Sequence, residues 1–315
     1  MAIHFQTHMI LFMIFLMSCK LCIGTTYQPS ELCPPMYPVG VPLTKMDIDL
    51  LQFAENLEYL EAEYFLYGAF GAGLEEFAPQ LNNGGPPPIG ARKANLDFLT
   101  QRIIEEFAFQ EVGHLRALNY TVGLIPKPLL DISPETFATI MNEAFEYELD
   151  PPFDPYANSI NYMLASYIIP YEGLVGYVGA NQFLQGYKAK RLLAGLLGVE
   201  AGQDAVIRTY LYERAEELVY PYNHTVAEFT IRISELRNVL ARCGIKDEGL
   251  FVPRELGAEM RITSNVLSAN NESISYARTP EEILRTVYNS GNESIPGGFY
   301  PEGANGRIAR QYLDY

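Results

Sequence analysis

A glutamate and a histidine three residues apart, Glu111-x-x-His114, stand in a stretch whose apolar residues recur at helical spacing. Residues three apart on a helix lie on adjacent rungs of one face, so this pair presents a carboxylate and an imidazole to one point. Those donors suit a divalent or ferric ion. At about 100° per residue, Leu96, Leu99, Ile103, Phe107 and Leu118 form an apolar arc that contains both. Further along, Glu200, Gln203 and Asp204 occupy the centre of an arc built by Leu193, Leu196, Leu197, Ile207 and Leu211. Glu172 stands at the edge of the face made by Leu164, Tyr167, Tyr171, Leu174, Val175 and Val178. Glu58 and Glu61 belong to an earlier segment, with Glu61 nearer the centre of its apolar arc. A carboxylate buried without a partner is costly, so a metal, another cation or a dense hydrogen-bond network has to compensate. Two readings stay open at this point: a metal site, and a metal-free core in which these polar groups satisfy one another.

Four long helices must position these groups. The first runs from Asp47 through Ile48, Leu50, Phe53, Ala54, Leu57, Leu60, Tyr64 and Phe65 to an end at Gly68, Gly71 and Gly73. The second covers about 94–122 and stops at Gly123 and Pro126. A long connection follows, carrying a short helix that Ser133 caps and Pro134 opens. The third helix spans about 159–185, with a kink or break expected at Pro170, and the fourth about 189–218. Two helix pairs joined by a long crossover define an all-α four-helix bundle of the ferritin-like connectivity over 46–218. The remainder, 219–315, is a helical and irregular extension: a helix over 225–241, a short one from Thr279-Pro280-Glu281-Glu282, and a glycine-rich, loop-like tail.

Asn56-Leu57-Glu58 with Tyr64-Phe65, and Glu111-x-x-His114, resemble ferritin-type helices; the run Gly198 to Ala205 and Gly297-Gly298-Phe299-Tyr300-Pro301 resemble plant desiccation-related proteins. The closer likeness covers almost the whole chain after residue 24, the wider one about 46–218. In the ferritin-like family the matching positions bind two irons or manganeses, which implies Glu58, Glu111, His114, Glu172 and Glu200 as ligands. The resemblance favours Glu58, the apolar arc favours Glu61, and both are kept. Many di-iron members carry Glu-x-x-His on the fourth helix, whereas this chain has Gln203, a neutral and weaker ligand. The resemblance therefore implies an asymmetric site for iron or manganese, with one position held by Glu, Glu and His; a core without metal stays open beside it.

The net charge of −16 offers no basic stripe for nucleic acid. Residues 1–24, with the apolar run Met9 to Met17, read as a signal peptide, too short to span a bilayer, and no later run is long enough to do so. Residues 25–45 are proline-rich and extended. Secretion into an extracellular space such as the apoplast is expected, with N-glycosylation at the sequons Asn119, Asn223, Asn271 and Asn292. Cys33 and Cys243 outlast the signal and are expected to form one disulfide, with two unpaired thiols as the alternative. The residues point to no particular macromolecular partner, and an oligomer stays open. The likeness to desiccation-related proteins implies a protective role in stressed tissue. The alternative is a metal-dependent oxidoreductase that consumes peroxide or ferrous iron. Iron storage is disfavoured, because a glycan at Asn119 would crowd a closed cage.

Overall fold

The computed structural model describes residues 40–313, and among them the architecture is all helical apart from isolated bridges. Helix α1 (Lys45–Phe70) begins at a capping box in which the Thr44 hydroxyl accepts from Asp47 N and the Asp47 carboxylate accepts from Thr44 N. It ends at Gly71, whose φ of 77° needs a residue without a side chain. Gly68 is not its terminator. A side chain there would overlap the Tyr162 hydroxyl, so this glycine admits a neighbouring helix instead.

Helix α2 (Phe98–Val122) starts at Asp97, whose carboxylate accepts from Leu99 N and Thr100 N. It runs antiparallel to α1, since Gln101 Nε2 donates to Ala69 O at one end and Gln52 Nε2 to Gly123 O at the other. The crossover carries α3 (Pro134–Phe145), capped by Ser133. The third bundle helix is broken as expected into α4 (Ser159–Ile168) and α5 (Pro170–Asn181). Proline has no N–H to donate, and carbonyls released at the break are taken up by Arg237, whose guanidinium donates to Tyr167 O at 2.8 Å and Ile168 O at 3.1 Å. Helix α6 (Tyr187–Tyr212) closes the bundle, ending earlier than the apolar pattern suggested.

Helix α7 (Val226–Ala241) packs on α3, α4 and α6, and α8 (Pro280–Val287) packs on α5 and α7. The tail then returns to α1. Tyr300 OH donates to Asn56 O, and Asn56 exchanges two hydrogen bonds with the backbone of Asn305 at 2.7 and 2.9 Å. Among the described residues no helix is long and apolar enough to cross a membrane.

Candidate metal centre

Each bundle helix contributes at one level of the core. Glu58 and Glu61 come from α1, Glu111 and His114 from α2, Glu200 and Gln203 from α6, and Gly173 and Tyr177 from α5; all the polar members are buried. Oxygens of Glu58, Glu111 and Glu200 and a nitrogen of His114 lie within 4.8 Å of one another. His114 Nδ1 is 3.0 Å from Glu58 Oε2, 3.0 Å from Glu111 Oε2 and 3.4 Å from Glu200 Oε1. One N–H cannot point at three carboxylates, so a single proton satisfies this geometry poorly. Neither oxygen of Glu200 and neither of Glu61 has a hydrogen-bond partner. The groups present therefore fit a cation: three carboxylates and an imidazole turned to one point, with unpartnered buried oxygens around it.

The charge balance says the same. Burial by itself would raise Glu58 and lower His114, but their mutual attraction prevails, holding Glu58 below the usual carboxylate range and His114 above the usual imidazole range. Burial and then the Glu200 charge push Glu111 well up, and burial with Glu200, Glu111 and Glu58 does the same to Glu61. Burial, opposed by the adjoining imidazole and aided by the Glu58 charge, pushes Glu200 up to about 7. Without a metal the core holds protons in place of positive charge, and a multivalent cation would displace them.

Gln203 meets the cluster through its amide nitrogen, and its Oε1 is buried without a hydrogen-bond partner. Its Nε2 donates to Glu111 Oε1 at 2.5 Å and to Gln110 Oε1 at 3.1 Å, so the amide holds a carboxylate in place. Glu172 is buried but turned away from the cluster. It faces Arg278, with Oε2 4.0 Å from Nε, and burial, opposed by Arg278 and Arg237, pushes it up to about 7. The position facing the cluster is its neighbour Gly173, where a side-chain carbon would meet Glu61 Oε1 at 3.0 Å and Glu200 Oε2 at 3.3 Å. Glu61 thus fills the quarter of the site that α5 leaves open. Asp204 belongs to a second polar region with Arg208, Arg237 and Asp247, where burial, opposed by the two guanidiniums, pushes it up to about 6.

Three residues of these networks escaped the sequence reading. Tyr177 donates its hydroxyl to Glu58 Oε1, a contact that no spacing rule announces. Arg208 lies one turn beyond Asp204, in line with Glu200, and that periodicity was a usable signal. Arg237 answers Pro170 from another helix, which only the fold reveals. Leu99, assigned inward with Glu111, is 57% exposed, because the buried face of α2 is rotated toward Thr100, Ile104 and Ala108. Of the sequons, Asn119 and Asn223 are exposed, whereas Asn271 and Asn292 are half-buried. Cys243 is exposed, and Cys33 lies outside the described residues.

An antiparallel bundle with a long crossover and a carboxylate–histidine core is the architecture of the ferritin-like four-helix bundles. The family model for the ferritin-like domain matches residues 46–213, and the chain belongs to that family. It is 62% identical over 310 residues to Ferritin-like catalase Nec2 of Nesocodon mauritianus, covering 98% of this chain and 99% of the relative. It is 52% identical over 265 residues to Desiccation-related protein PCC13-62 of Craterostigma plantagineum, covering 84% and 85%. No solved structure matches the chain.

Proposed function

We propose that this protein consumes hydrogen peroxide at iron or manganese held by Glu58, Glu111, His114 and Glu200, with Glu61 beside them, and that it thereby protects water-stressed plant tissue. The observation that carries this reading is the convergence of those four buried side chains within 4.8 Å. The relative named as a catalase, alike over nearly the full length, supports the reaction class, and the relative named as desiccation-related supports the setting. Two peroxide molecules give two of water and one of dioxygen, one peroxide being reduced and the other oxidised, so no outside reductant is needed. A bound iron or manganese would supply the exchange of electrons between them. The protein's share is to hold the ion by carboxylate oxygens and one imidazole nitrogen, to exclude bulk water through burial, and to store a proton. Glu61 is placed for the last task, being buried beside the cluster with no hydrogen-bond partner on either oxygen.

Protein from a secretory plant host should contain iron or manganese by elemental analysis and release oxygen from peroxide at an electrode. A preparation without metal that refuses added iron and manganese and releases no oxygen would leave a metal-free protective core as the better reading. Export, one Cys33–Cys243 disulfide and glycans at Asn119 and Asn223 belong to the same proposal. They are supported by the apolar run Met9 to Met17 and by the exposure of Cys243 and both asparagines. Mass spectrometry of mature protein should find the N-terminus near Thr25, linked cysteine peptides and a mass loss with glycosidase; an intact Met1 without glycan would defeat export.

A further inference from the structure

Helix α5 faces the metal centre with Gly173 and, one turn on, Tyr177, and it brings no carboxylate there because Glu172 turns to Arg278. Tyr177 is 2% exposed, and its hydroxyl donates to Glu58 Oε1. The other oxygen of Glu58, Oε2, lies 3.0 Å from His114 Nδ1. The two oxygens of one carboxylate are thereby divided, one engaged by a phenol and one directed at the cluster. Other buried tyrosines of the bundle spend their hydroxyls on backbone: Tyr59 on the carbonyls of Leu81 and Ile125, Tyr64 on that of Tyr162, and Tyr162 on that of Tyr64. Among these, Tyr177 alone addresses a carboxylate of the centre.

We propose that Tyr177 is a positioning residue of the metal centre: its hydroxyl fixes Glu58 so that Oε2 faces His114, Glu111 and Glu200, and the third bundle helix thus serves the site through a phenol donor. This rests on the metal reading above. A carboxylate on a helix can turn about its last torsion and so exchange its two oxygens. A donor on Oε1 fixes which of the two faces His114, Glu111 and Glu200. Partners of this outer kind orient the atoms that bind metal, and losing one typically costs about 10- to 100-fold in affinity.

The test is titration of metal-stripped full-length protein with Mn(II), following the free-ion electron paramagnetic resonance signal, beside circular dichroism to verify helix content. Tyr177→Phe should bind Mn(II) about 10- to 100-fold more weakly and alter the spectrum of the bound ion, with helix content unchanged. Tyr162→Phe, which removes an equally buried hydroxyl bonded to a backbone carbonyl, should bind as wild type does. Replacing Tyr177 by 4-aminophenylalanine, which keeps a donor at the same place and the ring's shape, should return affinity toward wild type. That variant also decides the matter should the Phe variant not fold, because a wild-type spectrum and affinity are then expected of it. Equal affinity in wild type and Tyr177→Phe, equal losses in Tyr177→Phe and Tyr162→Phe, or no recovery with 4-aminophenylalanine would overturn the role of Tyr177. A wild-type protein that takes no ion would overturn the metal reading itself, and this role with it.

Discussion

His114 sets one ring nitrogen within 3.4 Å of three carboxylates, and the behaviour of the centre turns on that atom. His114→Ala should abolish metal content and with it the response to chelator. In wild type, stripping the ion should lower stability by RT ln(1 + [L]/Kd), about 2.7 kcal/mol at a hundredfold excess over Kd, read as a fall in melting temperature. A chelator shift of equal size in the variant would contradict this assignment. Glu172 makes the opposite case. The resemblance placed it among the ligands, yet it faces Arg278 from the far side of α5. Glu172→Gln should therefore leave metal content unchanged by elemental analysis, and a loss of metal would put it back among the ligands. Its position at the edge of an apolar arc was legible; the direction of its side chain was not, because one residue of helix rotation exchanges Glu172 for Gly173.

At the scale of elements, a broken helix and a capped one show where stability resides. Arg237 takes up two carbonyls at the Pro170 break and pairs with Asp247, both partners being buried. Arg237→Ala leaves Asp247 as an uncompensated charge, so urea unfolding should show a loss of about 3 to 5 kcal/mol. A loss below about 1 kcal/mol, the ordinary surface scale, would mean that water substitutes for the guanidinium. At the start of α2, burial would raise Asp97, but hydrogen bonds from Ser159, Thr100 and the backbone outweigh it and lower it to about 2. Its folded value lies below the unfolded value near 3.9, so its contribution is complete above about pH 4 and is lost as pH falls through about 2. Between those limits wild type should lose more of its melting temperature than Asp97→Asn does; parallel curves would deny Asp97 this part.

Over the whole molecule, the C-terminal third is a brace rather than an appendage. Asn56, two residues before Glu58 on the first helix, clamps the tail at Asn305, and Tyr300 reaches the same turn. Asn56→Ala removes two part-buried hydrogen bonds to Asn305 and one to Phe53 O, each worth about 1 kcal/mol, and should cost about 2 to 3 kcal/mol in chemical unfolding. Proteolysis of the tail should quicken with it; an unchanged tail and an unchanged midpoint would show that Tyr300 and the ion pair of Arg307 with Asp49 suffice alone.

What the sequence determined by itself was whatever period and punctuation carry. Helical spacing gave four long helices, Pro170 gave the break, the long connection gave the crossover, and polar residues inside apolar arcs gave Glu61, Glu111, His114 and Glu200, while Glu58 came from the family resemblance. Those signals are local, each contained within a few turns of one helix. What only the tertiary structure decided was which way neighbouring helices are rotated against each other. That rotation turns Glu172 to Arg278 and Gly173 to the cluster, makes Gln203 a donor to Glu111, and brings the Tyr177 hydroxyl to Glu58. A side chain's partner on another helix depends on packing across the whole core, and no spacing within one helix encodes it.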